Sequence, residues 1–400
     1  LPSESIHTDS HALAAWYQYH LSTVAQLWHD VLNQTVIEFP DPKVVHTLKS
    51  QIAYILINQD GQGIQPGSRN YNRSFIRDGV ISASALIKMN LLKEADDYIN
   101  WYANHAVHPN GLVSPILNND GSVNRGFGSD LEYDSQGELI YLIKYYYEIT
   151  QDAAFLETYY PAVKKALGFL AELRQRTLEP GYMEHEANPK RFRGILPPSI
   201  SHEGYSTPHH SYWDNYWALK GWEDGAQLAL SVGDDETAAW TRDEYQALWT
   251  ALKASIETMI DWENLNHIPC SAELGDPDVT SVSIAFSPCR QTAIFPQKLL
   301  KDDFLNYYRN VLKREKTKEA YGYTPYEMRN VMALVRLNQP REAYRLLQSL
   351  LTDSRPEKWN QFAEVVHSDP RGGSLHRRHA AHLGGRRLCE HGFWYALLHR

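Results

Sequence analysis

Residues 135–176, SQGELIYLIKYYYEITQDAAFLETYYPAVKKALGFLAELRQR, show how this chain is organised. Apolar residues recur every three or four positions on both sides of residues 150–152, which predicts helices over 135–149 and 153–176. The connection between them is short. Longer irregular stretches precede and follow the pair, at about 108–130 and 179–210. The sequence therefore predicts a helical hairpin with a short connection at one end and long loops at the other.

The same arrangement recurs along the chain, roughly six times, without a fixed-length sequence repeat, which disfavours a solenoid. Further helical patterns cover residues 21–32, 42–57, 79–89, 92–106, 212–230, 235–261, 301–314, 325–337 and 340–351. No stretch is typical of an interdomain linker. The pattern predicts an all-α toroid of helical hairpins, with its long loops gathered at one end.

The composition excludes several classes of protein. There are 39 basic and 48 acidic residues, a formal charge of −9, which disfavours nucleic acid as a partner. No apolar run is long enough for a membrane span. The many aromatic residues (25 Tyr, 11 Trp and 11 Phe) suit either a large helical core or a sugar-binding cleft. Neither the compartment nor the oligomeric state can be predicted from these numbers.

Motifs for metals, nucleotides and serine nucleophiles do not occur. The chain contains no CxxC, HExxH, GxSxG or P-loop sequence. His202, His209 and His210 lie near one another in sequence but lack spaced carboxylate or cysteine partners. We therefore expect them to make local hydrogen bonds, and we predict no metal and no cofactor.

Two loop segments carry candidate binding residues. Residues 71–79, YNRSFIRDG, contain Tyr71 and the pair Arg77 and Asp78, which can clamp neighbouring hydroxyl groups of a sugar. Asp78 suits a helix N-cap equally well. In residues 132–138, EYDSQGE, Gln136 is a candidate for the cleft, whereas Asp134 or Ser135 is expected to cap the next helix, with Ser135 and Glu138 as a capping box.

A third segment, residues 196–217, contains Glu203, Tyr205, Trp213 and Asp214. A carboxyl group among aromatic residues is desolvated, which raises its pKa and suits it to act as a general acid. Asp214 therefore becomes the candidate acid, with an N-cap as its alternative role.

The fourth segment, residues 359–366, places Glu364 among apolar residues after Trp359. Two separate carboxylates in aromatic loops are what glycoside hydrolysis needs, one as acid and one as base or nucleophile.

Three of these segments resemble, in order, the six-hairpin glycosidases, a superfamily that includes glucoamylases, processing α-glucosidases, trehalases and the catalytic domain of debranching enzymes. Residues 77–79 (RDG) resemble the Arg-Asp signature that opens a helix, 212–215 (YWDN) the general-acid segment, and 362–364 (FAE) the glucoamylase general-base segment. With the helical pairs, the resemblance covers most of the chain.

The resemblance implies an (α/α)6 barrel over residues 1–370 and hydrolysis of an oligo- or polysaccharide with inversion. Asp214 would protonate the leaving oxygen and Glu364 would activate water, while Arg77 and Asp78 would bind the non-reducing sugar. Glu203 is an additional carboxylate: it could be the true acid, or a contact whose charge keeps Asp214 protonated. Tyr71, Gln136, Tyr205, Trp213 and Trp359 complete the predicted binding residues.

Two other classes remain open at this point. Sugar epimerases use the same barrel with histidines as acid and base, and this chain has 18 histidines. A non-catalytic carbohydrate-binding helical scaffold is the second alternative.

Residues 371–400 differ in composition from the rest of the chain. Residues 372–387, GGSLHRRHAAHLGGRR, contain no acidic residue, no lysine and no helical pattern. They suit a basic tail or a metal or anion site. Glucoamylase-like proteins often continue with a segment like Tyr-Ile-Gly-Asp-Met-Pro-His-Thr-Trp-Val, and one choice of codons for it, read in another frame, encodes residues 376–384. We therefore expect out-of-frame translation to replace the last barrel helix.

Overall fold

The computed structural model describes residues 10–67, 71–125, 132–201, 205, 207–317, 321–352, 357–362 and 366–367. Twelve α-helices lie in these ranges. They are α1 (Ser10–Leu32), α2 (Pro42–Ile57), α3 (Ile76–Lys88), α4 (Leu92–Ala106), α5 (Ser135–Thr150), α6 (Ala153–Arg176), α7 (Tyr212–Ser231), α8 (Asp235–Glu263), α9 (Val279–Val282), α10 (Gln297–Arg314), α11 (Arg329–Arg336) and α12 (Pro340–Thr352).

Six two-residue strands form three antiparallel pairs that fasten the loops. β1 (Gln59–Asp60) pairs with β2 (Gly63–Ile64), and β3 (Ser74–Phe75) pairs with β4 (Ile116–Leu117). β5 (Gly322–Tyr323) pairs with β6 (Val366–His367), which aligns Tyr323 with Val366. β3 ends directly before the first residue of α3, whereas β5 is separated from α11 by five residues.

The helices form an inner and an outer layer. In the inner layer α3 packs on α5 and α5 on α7. The turn Ser283–Ala285, which follows α9, contacts both α7 and α11. Helices α4, α6, α8, α10 and α12 pack outside them. Burial follows the layers, because α7 is buried on all sides whereas the longer α8 buries one face. The fold is an all-α (α/α)6 barrel, as predicted.

Aspartates begin several helices by the expected capping mechanism. Asp41 accepts a hydrogen bond from the N–H of Lys43, and Pro42 occupies the first helical position of α2. Asp152 and Asp234 cap α6 and α8 in the same way. These local signals explain why the predicted starts of α2, α6 and α8 are correct.

Several details differ from the sequence predictions. Helix α10 begins at Gln297, four residues before its predicted start. Helix α1 forms, but none of its residues is buried. Helix α3 begins at Ile76, so Asp78 lies inside its first turn and is not the N-cap. The predicted helix over 325–337 is divided, because Pro325–Met328 forms a 3₁₀ turn before α11. None of the helices in the described ranges has the length and apolarity needed to cross a membrane. Residues 371–400 lie outside the described residues.

Candidate active site

A cavity of about 350 Å³ opens at the end of the barrel where α3, α7 and α11 begin. Arg77 from the first turn of α3, Trp213 from the first turn of α7 and Arg329 from the start of α11 line it. Ser201, from the loop before α7, and Tyr323 of β5 complete this part of the wall. The helix starts therefore converge on one concave, polar and aromatic site.

Arg77 is held by two acidic side chains. Its Nε donates to Oδ2 of Asp134 at 2.7 Å, and its Nη2 donates to Oε2 of Glu132 at 2.7 Å. The same Oδ2 atom accepts the indole N–H of Trp213 at 2.8 Å. The guanidinium lies 5.9 Å from the centre of the Trp213 ring. Asp134 thus fixes the two cavity-lining side chains relative to each other.

This arrangement overturns the capping role predicted for Asp134. The residue occupies the N-cap position of α5 but makes no capping hydrogen bond, because its carboxylate faces Arg77 and Trp213. The predicted capping box is also wrong. Ser135 Oγ donates to the carbonyl of Glu132, and neither carboxylate oxygen of the buried Glu138 has a hydrogen-bond partner among the described residues.

Four buried carboxyl groups cluster around Arg77: Glu132, Asp134, Glu138 and Asp214. Burial raises the pKa of Glu132 to about 7, against the opposing charge of Arg77. Burial, reinforced by the charge of Asp134, raises the pKa of Glu138 and of Asp214 well above the ordinary range. One guanidinium cannot neutralise four carboxylates, so the cluster retains protons near neutral pH.

Asp214 lies inside this cluster and does not line the cavity. It is the third residue of α7 and is fully buried, and its side chain does not cap the helix. Neither carboxylate oxygen has a hydrogen-bond partner within the described ranges. The nearby hydroxyls of Ser199 and Ser201 oppose the rise in its pKa without being aligned for hydrogen bonds. The neighbouring side chain, Trp213, faces the cavity instead.

Glu203 and Glu364 lie outside the described residues, so their distance from each other and from Asp214 is not described. Their chain neighbours lie at the cavity. Ser201, two residues before Glu203, lines it. Val366, two residues after Glu364, pairs with Tyr323 of the cavity wall.

The remaining predicted binding residues are not among those that line this cavity. Asp78 is buried in α3, and Tyr71 packs edge-on against Phe75 at 6.2 Å. The Tyr205 hydroxyl donates to Asp276 at 3.1 Å. Trp359 is 53% exposed, and its carbonyl accepts from Tyr54.

Gln136 is also buried, and its amide serves the backbone. When the amide is oriented so that both its nitrogen and its oxygen are hydrogen-bonded, the nitrogen donates to the Tyr133 carbonyl at 2.9 Å. The oxygen then accepts from the Val113 N–H at 3.0 Å. It therefore holds the loop before α5.

Sequence reasoning missed the segment 321–329, YGYTPYEMR, which supplies Tyr323, Tyr326, Glu327 and Arg329 to the cavity. Glu327 accepts two hydrogen bonds from Arg314, at 2.7 and 2.9 Å. The segment was interpreted as the start of a helix. Its density of aromatic and charged residues before a helix was a usable signal, because the same pattern led to residues 71–79 and 196–217.

Of the three histidines expected to bond locally, His209 contacts the Thr207 hydroxyl at 3.3 Å, His202 lies outside the described residues, and His210 bonds residues distant in sequence. Buried His210 lies between Glu273, whose Oε1 is 2.5 Å from Nδ1, and the Tyr182 hydroxyl, 2.7 Å from Nε2. Within the described ranges no group of three or more His, Cys, Asp or Glu side chains is placed to hold a metal ion.

Comparison with solved structures identifies proteins with the same fold. A variant of a glycosidase superposes with a TM-score of 0.62 at 12% identity, covering 89% of this chain and 94% of its own. A rhamnosidase from Klebsiella oxytoca with rhamnose bound gives 0.58 at 12% identity, with coverages of 90% and 64%. A mannosylglycerate hydrolase from Thermus thermophilus in complex with glucose gives 0.52 at 12%, with coverages of 76% and 91%.

The sequence itself matches no family model and no curated protein. At these identities the structural similarity establishes the fold. The predicted resemblance to six-hairpin glycosidases is therefore confirmed at the level of architecture: the chain shares a helical barrel with several glycosidases.

Proposed function

We propose that this protein is a glycoside hydrolase that cleaves its substrate with a general acid and a general base, with inversion. The observation that carries the proposal is the cavity at the start of α3, α7 and α11. It combines an aromatic wall, Trp213, with the clamped guanidinium of Arg77, above carboxyl groups that hold protons near neutral pH. Flat aromatic faces and charged hydrogen-bond donors are what a sugar ring requires.

Glu364 is the proposed base, as the sequence predicted. For the acid, the burial of Asp214 favours the alternative, Glu203. A general acid must come within hydrogen-bond reach of the glycosidic oxygen. Both oxygens of Asp214 are buried and Asp214 is not among the residues that line the cavity, whereas Glu203 follows the cavity-lining Ser201 by two residues. Asp214 then acts as a buried, protonated member of the cluster that supports Trp213 and Arg77.

In this scheme Glu203 donates its proton to the leaving oxygen while Glu364 removes a proton from a water molecule on the opposite face of the sugar. The water then attacks the anomeric carbon, and the bond to the leaving group breaks with inversion. An inverting pair requires carboxyl groups roughly 6.5–9.5 Å apart.

The names of the structural neighbours support a carbohydrate substrate but differ in the sugar. Rhamnose, glucose and mannosylglycerate appear among them, each for that protein alone. They therefore favour the class of reaction without selecting the sugar.

Three variants test the assignment: Glu203→Gln, Asp214→Asn and Glu364→Gln, with Glu157→Gln on the exposed face of α6 as control. We expect Glu203→Gln and Glu364→Gln each to lower kcat by about 10²–10⁴-fold and Asp214→Asn to lower it by less than about 10-fold. A glycosyl fluoride needs no proton on its leaving group, so it should restore turnover in Glu203→Gln only.

Rescue of Asp214→Asn by the fluoride, after a loss as large as that of Glu364→Gln, would assign the acid to Asp214. Near-normal kcat in Glu364→Gln would remove the proposed base and with it the two-carboxylate mechanism.

A further inference from the structure

Arg329 carries a buried guanidinium that no acidic side chain of the described residues neutralises. It is the first residue of α11, is 7% exposed and lines the cavity. Its guanidinium carbon lies 5.2 Å from the centre of the Trp213 ring and 4.8 Å from that of Tyr326. In the part of the chain that the structure describes, no carboxylate lies within ion-pair distance of it, and its buried Nε has no hydrogen-bond partner.

Four other enclosed arginines in the described ranges have a carboxylate within 4 Å. Buried Arg191 has an oxygen of Glu186 3.9 Å from its Nη2, although its Nε is also without a hydrogen-bond partner. The remaining three are partly buried. Arg77 contacts Glu132 and Asp134, and Arg314 binds Glu327 through two hydrogen bonds. Arg174 binds Glu244 with both Nε and Nη2. Among these five arginines of the described ranges, Arg329, which lines the cavity, is the one without a carboxylate at that distance.

The acidic residues of the cavity wall have other partners. Glu327 accepts from Arg314 and from the Tyr307 hydroxyl at 2.6 Å. Asp278 accepts the N–H of Thr280 at 2.8 Å, which caps α9. The two aromatic rings hold the Arg329 guanidinium in place but carry no net charge to balance it. Burying a charge without an opposite charge beside it costs free energy. An unpaired buried charge is therefore expected at a binding site, where a ligand supplies the opposite charge.

We propose that the cavity binds an acidic glycoside whose carboxylate pairs with Arg329. The planar fork of a guanidinium matches a carboxylate in two parallel hydrogen bonds. One unpaired guanidinium balances one negative charge, which fits a carboxylate better than a phosphate monoester of nearly two charges. The carboxylate can belong to the sugar, as in a uronic acid, or to a hydroxy-acid leaving group. The hydrolytic part of this inference rests on the proposed function, but the binding does not.

Calorimetric binding to matched acidic and neutral ligands tests the inference, in Glu364→Gln to prevent turnover. Glucose, galactose and mannose are compared with their uronic acids. Glycosides of glycerol are compared with those of glycerate. We expect the acidic member of at least one pair to bind about 10- to 100-fold more tightly, the range for a charge-assisted hydrogen bond. The pairs in which this occurs show which half of the substrate carries the acid.

Arg329→Gln should reduce this preference to less than about threefold, and Arg329→Lys, which retains the charge without the fork, should give an intermediate value. Arg336→Gln, on an exposed position of the same helix, is the matched control and should leave the preference unchanged. If Arg329→Gln does not fold, the change in preference in Arg329→Lys decides the outcome.

Neutral preference in every pair would overturn the inference. So would an equal loss for both members in Arg329→Gln, because Arg329 would then bind hydroxyl groups. Acidic ligands that bind tightly without any hydrolysis by the wild-type protein would contradict the proposed function and leave this inference intact. If the wild-type protein hydrolyses neutral glycosides but no acidic ones, the proposed function stands and the inference about Arg329 is wrong.

Discussion

A single oxygen atom of Asp134 fixes two walls of the cavity. Its Oδ2 accepts from Arg77 and from the Trp213 indole, which come from α3 and α7 and are far apart in sequence. Sequence reasoning identified both Arg77 and Trp213 but assigned Asp134 to capping. The local pattern before α5 suits a cap, and only the packing of three helices shows what the carboxylate contacts.

Replacing Asp134 should therefore disrupt stability and the site together. Asp134→Ala leaves a buried guanidinium with one fewer partner and an indole N–H with none, so we expect a loss of about 3 kcal/mol in the free energy of unfolding. Asp243→Ala, at an exposed position of α8, should change it by less than about 0.5 kcal/mol. Urea unfolding measures both, and equal small effects would mean that Asp134 does not organise the cluster.

Glu132 should make the protein less stable as the pH rises. Its pKa is raised from 4.5 to about 7 in the folded state. Between these values the folded protein holds a proton that the unfolded chain has released. The free energy of unfolding therefore falls with increasing pH, by at most about 1.4 kcal/mol per unit from this group. Below pH 4.5 and above about 7, Glu132 contributes no slope.

Glu132→Gln mimics the protonated form and should flatten this dependence, measured by urea unfolding between pH 5 and 7.5. The exposed Glu157→Gln should retain the wild-type slope. A Glu132→Gln profile parallel to wild type would show that Glu132 titrates alike in the folded and unfolded states.

At the scale of elements, helix periodicity and capping residues predicted most of the fold. The bounds of α2, α4 and α6 agree with the sequence reading to the residue. The exposure of α1 could not be predicted from the sequence. Its apolar residues repeat at helical spacing whether or not another surface covers them. The division before α11 depends on the 3₁₀ turn at Pro325–Met328, which sequence spacing does not distinguish from a first helical turn.

Close packing of α5 against α7 depends on glycine. A Cβ atom at Gly137 would lie 2.1 Å from the Trp217 carbonyl oxygen, and one at Gly221 would lie 3.0 Å from the Gly137 Cα. Gly137→Ala must push apart the helices that carry Asp134 and Trp213, so we expect it to destabilise the fold by about 3 kcal/mol and to lower activity. Thermal and urea unfolding provide the measurement.

Gly168→Ala is the matched control for this substitution. Gly168 lies in α6 with open space around its Cβ position, so alanine should stabilise the protein by about 0.5–1 kcal/mol through helix propensity. Destabilisation of similar size at both positions would contradict the close-packing argument.

At the scale of the whole molecule, a closed ring of six hairpins needs six inner segments. The described residues supply five: α3, α5, α7, the α9 segment and α11. We propose that residues 371–400 are an out-of-frame substitute for the sixth. A gene corrected by one base before about residue 375 should then encode a barrel of higher Tm and activity, because the last helix would cover apolar surface.

Sequencing the encoding DNA and comparing the two chains by calorimetry test this proposal. If no one-base change restores a helical pattern after residue 370, or if the corrected chain is less stable, the proposal is wrong.

The reaction was predicted less completely from the sequence than the fold was. The Arg77 and Trp213 signals are local and were found. The ion pairs of Arg77 depend on which side chains meet across the barrel, and so does the lack of a described carboxylate near Arg329. The spacing of residues in one sequence does not encode such contacts.

Proton NMR of the products from a panel of α- and β-linked neutral and acidic glycosides tests directly whether this protein hydrolyses glycosides with inversion. We expect new reducing ends from at least one substrate, with the first anomer formed opposite in configuration to the bond cleaved. Retained configuration would contradict inversion. An epimerised sugar with no new reducing end would contradict hydrolysis itself. So would binding of glycosides from the panel without conversion of any of them to products.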